Sequence, residues 1–81
     1  MPEPDRKAAL YVYQQIAADI AARIARNELK PGQPIPSETQ LGQAWPGVAR
    51  TTIRRAVKAL RQQGLVHTVP GRGTYVGPAP D

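Results

Sequence analysis

No cysteine occurs among the 81 residues of the chain, which contains one histidine, one tryptophan and six carboxylates. The absence of cysteine excludes disulfides, thiolate metal ligands and cysteine nucleophiles. One imidazole and a few scattered carboxylates form no recognisable metal-ligand pattern. His67, the one histidine, falls in a predicted strand and has no carboxylate near it in sequence. We therefore expect no metal, no cofactor and no enzymatic activity.

Long apolar runs are absent as well. No stretch approaches the roughly 20 apolar residues that a membrane-spanning helix requires. The N-terminal sequence MPEPDRKAA does not contain the apolar core of a signal peptide. We expect a chain that makes no membrane contact and resides in the cytoplasm. Its length corresponds to one small domain with a modest core.

The basic residues are distributed unevenly along the chain. Residues 1–49 carry five basic and five acidic side chains, whereas residues 50–76 carry six basic side chains and no acidic one. Those six are Arg50, Arg54, Arg55, Lys58, Arg61 and Arg72. Segregated positive charge indicates a face that binds a polyanion. The alternative is a solvated basic surface that aids solubility.

Apolar residues at helical spacing predict a first helix between about Leu10 and Asn27. The pattern consists of Tyr13, Ile16, Ala17, Ile20 and Ile24. Three prolines and a glycine in LKPGQPIP, residues 29–36, end this helix. Within that segment Ile35 lies between two prolines, which fits a short extended edge strand.

Two further helices are predicted from the residues at their ends. SETQ, residues 37–40, has the form of a capping box, so a second helix begins at Glu38. The sequence WPG ends it at residues 45–47. A third helix covers residues 50–63, and Gly64 follows it at the position of a C-terminal cap. The apolar stripe of the third helix consists of Ile53, Ala56, Val57 and Leu60.

The C-terminal sequence LVHTVPGRGTYVG, residues 65–77, contains two β-rich runs around a Pro/Gly turn and predicts a hairpin. The order is then helix, extended segment, helix, turn, helix and hairpin, which is a mainly α fold with a small β-hairpin. We expect residues 1–9 to form a flexible N-terminal arm, residues 10–77 the folded domain and residues 78–81 a disordered tail.

The third helix carries the candidate binding residues. Its polar face and one flank carry Arg50, Thr51, Arg54, Arg55, Lys58, Arg61 and Gln62. A DNA major groove admits an α-helix, and arginine pairs in bidentate fashion with guanine O6 and N7. Because first-turn residues are best placed to reach base edges, Arg50, Thr51 and Arg54 are the expected base-reading residues. For Arg55 and Lys58, base reading and phosphate binding are both open.

The tip of the hairpin adds a second candidate contact. Gly71 and Gly73 permit close approach of the backbone to a surface, and Arg72 projects one positive charge between them. A narrow A·T-rich minor groove attracts such an arginine. The alternative is an ordinary turn whose glycines serve only its backbone geometry.

Residues 13–76 resemble the winged helix-turn-helix domain of GntR-type bacterial transcription regulators. The resemblance rests on PGQPIPSETQL, GVARTTIRRAVKAL and GRGTYV, whose glycines, arginines and apolar residues fall at the spacings of the family pattern. It implies three helices plus a two- to three-stranded antiparallel sheet. It also implies that Arg50, Thr51, Thr52 and Arg54 contact an operator, and that Gly71 with its neighbours forms the wing contact.

Three departures from the family pattern bear on these expectations. Ala49 stands where the family usually has Ser or Thr, which removes about 1 kcal/mol of helix capping. Thr39 stands where Arg is common, which leaves a DNA contact from that position open. The turn sequence AWPGV is one residue longer than usual. Family members also carry a C-terminal effector-binding and dimerisation domain, so we expect this chain to be either an excised domain or a naturally minimal regulator.

The leading hypothesis is a sequence-specific, double-stranded DNA-binding transcription regulator that acts as a repressor at the nucleoid. The helix at residues 50–63 would occupy the major groove and the wing at residues 70–74 the minor groove. Ser37, Thr39 and Arg61 are candidate contacts to the DNA backbone. The resemblance implies a palindromic operator and a homodimer, formed in solution or only on DNA. The alternative is a winged-helix protein-interaction or assembly module without specific DNA binding.

Overall fold

The computed structural model describes residues 6–79, together with the side chains of residues 11–79. Three helices precede a hairpin: α1 is Arg6–Ala25, α2 is Glu38–Ala44, α3 is Arg50–Gln62, β1 is Val66–Val69 and β2 is Gly73–Val76. This order confirms the mainly α fold with a small antiparallel sheet. Helix α2 begins at the predicted residue, and α3 ends one residue before the predicted end.

Helix α1 begins earlier in the chain than predicted. Residues 6–9, expected to belong to a flexible arm, form its first turn instead. Arginine, lysine and alanine are strong helix formers, and the sequence RKAA extends the alanine-rich segment without a break. The rest of the predicted arm, residues 1–5, and residues 80–81 of the predicted tail lie outside the described residues.

Helices α1 and α3 pack against each other and build most of the core. Ile16 and Ile20 of α1 and Leu60 of α3 are the most completely buried large side chains, with exposed fractions of 0%, 1% and 0%. The other buried core residues are Ala17, Ile35, Leu41, Ile53, Ala56, Val66 and Val76. The apolar stripe predicted for α3 is therefore its packing face, and the polar face of that helix is turned to solvent.

The predicted capping box fixes the start of α2. Ser37 Oγ accepts a hydrogen bond from the Gln40 amide at 3.1 Å, and Gln40 Oε1 accepts one from the Ser37 amide at 2.9 Å. At the other end the Trp45 amide donates to Leu41 O at 2.9 Å. Two backbone donors at the N-terminus are thus satisfied by side chains, which stabilises a helix of only seven residues.

The end of α3 directs the chain into the hairpin. Gly64 adopts a left-handed conformation with φ of 76°. Its amide donates to Arg61 O at 3.0 Å, and the Leu65 amide donates to Leu60 O at 3.1 Å. This pair of bonds is the Schellman arrangement, which a glycine makes without steric cost. The predicted C-terminal cap is confirmed.

The hairpin is joined by a third extended segment. Strands β1 and β2 pair in antiparallel register from Val66 opposite Val76 to Val69 opposite Gly73. On the other side of β2, Pro34 bridges Tyr75. Amide hydrogen bonds run from Ile35 to Thr74 O at 2.9 Å and from Val76 to Gln33 O at 2.8 Å. The extended edge segment predicted around Ile35 is therefore present and ties the chain before α2 to the hairpin.

Truncation of Leu60 to alanine should destabilise the fold severely. The side chain is fully buried between α1 and α3, and Leu→Ala at such sites costs about 2–5 kcal/mol. A small domain has about 5–15 kcal/mol in total. Urea denaturation followed by circular dichroism measures the change. Lys58→Ala, an exposed position on the same helix, is the control, and equal losses in both variants would contradict this assignment of the core.

Candidate nucleic-acid interface

The outward face of α3 presents most of the predicted contact residues to solvent. The exposed ones are Arg50, Thr51, Arg54, Arg55, Lys58 and Arg61. Thr52 is half-buried beside the core residue Ile53. Helix packing explains this division, because the stripe at helical spacing faces α1 and leaves the cationic side chains on the opposite face.

Positive charge on this face is only partly neutralised by the protein. The described side chains include three carboxylates, and each forms an ion pair with an arginine: Asp19 with Arg23, Glu28 with Arg26 and Glu38 with Arg54. Within the part of the chain that the structure describes, the other five cations of the basic segment have no carboxylate partner: Arg50, Arg55, Lys58, Arg61 and Arg72. These five exposed cations leave the surface with a net positive charge.

Arg54 is held by a residue of α2. Its Nε atom lies 3.0 Å from both Oε1 and Oε2 of Glu38, so one N–H is shared between the two carboxylate oxygens. Sequence reasoning did not find this contact, because the partners are 16 positions apart. No local sequence pattern indicates which residue the Glu38 carboxylate contacts.

Arg55 is stacked on an aromatic ring of α1. Its guanidinium carbon lies 4.7 Å from the centre of the Tyr13 ring, a distance typical of a cation–π contact. Tyr13 was predicted from the apolar stripe of α1, and it is half-buried at the rim of the core. A shallow groove along α3 is lined by Tyr13, Thr51, Arg54, Arg55, Lys58, Ala59, Arg61 and Gln62. Helix α1 therefore contributes to the same surface.

Arg61 connects the last turn of α3 to the hairpin. Its Nη1 atom donates to Thr68 Oγ1 at 2.8 Å, and Thr68 Oγ1 lies 3.2 Å from Thr74 Oγ1. Thr68 and Thr74 are directly opposite each other on β1 and β2. This chain of polar contacts holds the hairpin at a defined position relative to α3.

The hairpin tip is an exposed tight turn. Pro70 and Gly71 occupy its central positions, and the Arg72 amide donates to Val69 O at 3.0 Å. Gly71 has a φ of 76°, the value that the third position of a type II turn requires. Gly71, Arg72 and Gly73 are all exposed, as the proposed contact needs.

A cleft brings the predicted regions together. It lies between the start of α2, helix α3 and the hairpin, and Arg54, Arg61 and Arg72 all line it. Ser37 also lines this cleft, although its hydroxyl already accepts a capping hydrogen bond. Thr39 is exposed in the first turn of α2 but lines neither groove. The helix and the wing thus form one continuous cationic surface.

The N-terminus of α3 has no side-chain cap, as predicted. Ala49 occupies the N-cap position in an extended conformation, with φ of −64° and ψ of 145°. Its carbonyl accepts from the Thr52 and Ile53 amides at 3.0 and 3.2 Å, but its methyl group can accept nothing. The amides that precede Thr52 are left to solvent or to an anion.

The histidine of the hairpin is held by contacts within the wing. His67 Nδ1 donates to Gly77 O at 2.9 Å, and the imidazole stacks on Tyr75 with ring centres 6.0 Å apart. Among residues 6–79, no histidine and carboxylate side chains cluster in a way that could hold a metal ion. None of the described helices is long and apolar enough to cross a membrane.

The chain is similar in sequence to known bacterial regulatory proteins. Residues 12–76 match the family model described as bacterial regulatory proteins, gntR family. The mannosyl-D-glycerate transport/metabolism system repressor MngR of Escherichia coli (strain K12) is 46% identical over 65 residues, covering 80% of this chain and 27% of that protein. The HTH-type transcriptional repressor NagR of Bacillus subtilis (strain 168) is 33% identical over 72 residues, covering 89% of this chain and 29% of that protein. The chain spans less than a third of either relative.

A solved structure shares the fold. The crystal structure of AraR(DBD) in complex with operator ORR3 matches with a TM-score of 0.75 and 42% sequence identity, over 80% of this chain and 77% of that one. This similarity confirms the winged arrangement of three helices and a small sheet.

Replacement of Ala49 by serine should stabilise the domain. A serine hydroxyl at this extended N-cap position can accept from a first-turn amide, which is worth about 1 kcal/mol in the free energy of unfolding. The control is Ala18→Ser, at an exposed position inside α1, where serine is expected to cost a few tenths of a kcal/mol. Thermal unfolding of the two variants should shift in opposite directions. A shift of both unfolding temperatures in the same direction would show that the lack of an N-cap hydroxyl does not limit the stability of α3.

Proposed function

The chain belongs to the gntR family of bacterial regulatory proteins, and from that premise we propose that it is a sequence-specific, double-stranded DNA-binding module of a transcription repressor. Its similarity to two proteins named as repressors and to a DNA-binding domain bound to an operator supports this function. Occlusion of a promoter is the simplest activity of a bound domain. Such a module acts in the cytoplasm, at the nucleoid.

The continuous cationic surface of α3 and the wing is the observation that carries the proposal. Duplex DNA presents about one negative charge per 1.7 Å of its axis. Arg50, Lys58 and Arg72 are free of carboxylate partners among the described residues and are spread over both the helix and the wing. Their attraction to phosphates supplies affinity, and the hydrogen-bonding side chains between them supply specificity.

Within the major groove we assign base reading to the start of α3. Arg50, Thr51, Thr52 and Arg54 occupy its first turns, and a recognition helix contacts base edges with its N-terminal residues. Thr52 is half-buried, so its contribution is smaller than that of the exposed Thr51. Arginine suits guanine, and the threonine methyl suits the methyl group of thymine.

Contacts to the DNA backbone are assigned to the flanks of this helix. Arg55 is held against Tyr13 at the edge of the surface, which favours a phosphate contact over base reading, whereas Lys58 is open to both. Arg61 lies at the far end of α3 and faces the cleft. Ser37 and Thr39, at the start of α2, are further candidates for the backbone.

The wing is assigned to the minor groove. Gly71 and Gly73 allow the backbone to approach the groove, and Arg72 between them carries the charge that a narrow A·T-rich groove attracts. Two copies of this arrangement on a two-fold axis would read a palindrome with half-sites about one helical turn apart or closer. The homodimer forms either in solution or only on DNA.

Selection of bound duplexes from a random pool tests the proposal. We expect a palindromic consensus to emerge, and mobility-shift titration to show at least about a thousandfold preference for it over a scrambled duplex at physiological salt. Equal affinity for every duplex would contradict the specific-regulator function, because phosphate contacts alone carry no sequence information. The protein-interaction alternative predicts that Arg50→Ala combined with Arg54→Ala leaves nucleic-acid affinity unchanged.

Two arginine variants should separate base reading from phosphate binding. Arg54→Ala is expected to cost about 1–3 kcal/mol on the selected operator and to relax one base position. Arg61→Ala should weaken all duplexes similarly and reduce the salt slope by about 1. Thr68→Val removes the hydroxyl that Arg61 bonds but no charge, so the slope should stay unchanged in this control. Identical behaviour of Arg54→Ala and Arg61→Ala would show the division to be wrong.

A further inference from the structure

One carboxylate lies on the surface assigned to DNA. Of the three described carboxylates, Glu38 lines the cleft between α2, α3 and the hairpin. Asp19 and Glu28 line neither this cleft nor the shallow groove along α3. A negative charge here repels phosphates and reduces the general attraction of the surface for DNA. The ion pair itself contributes little to folding, because the side chains of Arg54 and Glu38 are 61% and 38% exposed.

The geometry of the ion pair leaves the two terminal nitrogens of the Arg54 guanidinium, Nη1 and Nη2, available to bind a base. Both carboxylate oxygens lie 3.0 Å from Nε, so the carboxylate takes one of the five N–H donors of the guanidinium. In the described part of the chain, the four N–H groups of Nη1 and Nη2 form no hydrogen bond to protein. Those two nitrogens can together face O6 and N7 of one guanine.

We propose that Glu38 is a specificity-determining positioning residue, which fixes the Arg54 side chain so that its terminal nitrogens meet a guanine in the major groove. This inference rests on the proposed DNA-binding function and identifies how one part of the site achieves discrimination. Glu38 lowers the affinity for DNA in general and raises the preference for the correct base. It contacts no base itself.

The backbone around Glu38 is well suited to this task. Glu38 is the first residue of α2, directly after Ser37, whose reciprocal hydrogen bonds with Gln40 fix the start of that helix. The carboxylate is therefore attached to a defined point, and the flexible side chain of Arg54 is ordered against it before DNA arrives. Ordering a long side chain in advance removes part of the entropy cost of binding.

Removal of the carboxylate should raise the affinity for unrelated DNA and lower the preference for the operator. For Glu38→Ala we expect tighter binding to a scrambled duplex, because the surface gains one net positive charge. We also expect the preference for the selected operator to fall about three- to tenfold, the value of one side chain that is no longer ordered in advance. Titrations by fluorescence anisotropy at several salt concentrations measure both.

Three further variants identify the cause. Glu28→Ala is the control, since Glu28 also accepts from an arginine, Arg26 Nε at 3.1 Å, in an exposed pair, but lines neither the cleft nor the groove along α3. The operator preference of this variant should stay unchanged. Glu38→Gln keeps an oxygen for Arg54 Nε without the charge and should fall between wild type and Glu38→Ala. In the Arg54→Ala background, Glu38→Ala should no longer alter the preference.

The outcomes separate this inference from the function on which it rests. A wild-type protein with no operator preference would remove the proposed function itself. A wild-type preference that survives Glu38→Ala, or that falls equally in Glu28→Ala or in the Arg54→Ala background, would overturn the positioning role alone. Far-UV circular dichroism and thermal unfolding verify that each variant is folded. If Glu38→Ala does not fold, Glu38→Gln, which preserves the side-chain volume, tests the positioning role instead.

Discussion

The burial of one face of α3 against α1 is the constraint on which the rest of the structure depends. Ile16 and Ile20 on one helix and Leu60 on the other are almost completely removed from solvent. Because an α-helix can turn only one stripe to a core, this packing determines which side chains remain outside. The position of the apolar residues therefore determines which face of α3 is cationic. That face keeps its orientation as long as the core remains folded.

The site is assembled from three elements that converge around α3. The capped start of α2 supplies Glu38 to Arg54, α1 supplies Tyr13 to Arg55, and the hairpin supplies Thr68 to the end of the helix. Each contact orders a long cationic side chain that would otherwise sample many conformations in water. Such ordering favours selective binding, since charge alone attracts every nucleic acid equally.

Local features of this chain could be predicted from the sequence, whereas contacts between distant residues could not. The capping box at Ser37 and the left-handed cap at Gly64 depend on a few neighbouring residues, so their patterns suffice. Helix α1 starts earlier than expected, because the charged residues near its N-terminus, which are typical of a flexible arm, also favour helix. Pairing of Glu38 with Arg54 depends on how two helices pack, which no local pattern contains.

The prolines around Ile35 have a consequence for assembly. Pro34 and Pro36 carry no amide hydrogen, and they flank the segment that forms one outer edge of the small sheet. A β-strand from another molecule needs a row of free donors and acceptors to extend a sheet, and this edge offers an interrupted one. Edge-to-edge addition of a strand from another copy is therefore disfavoured at this segment.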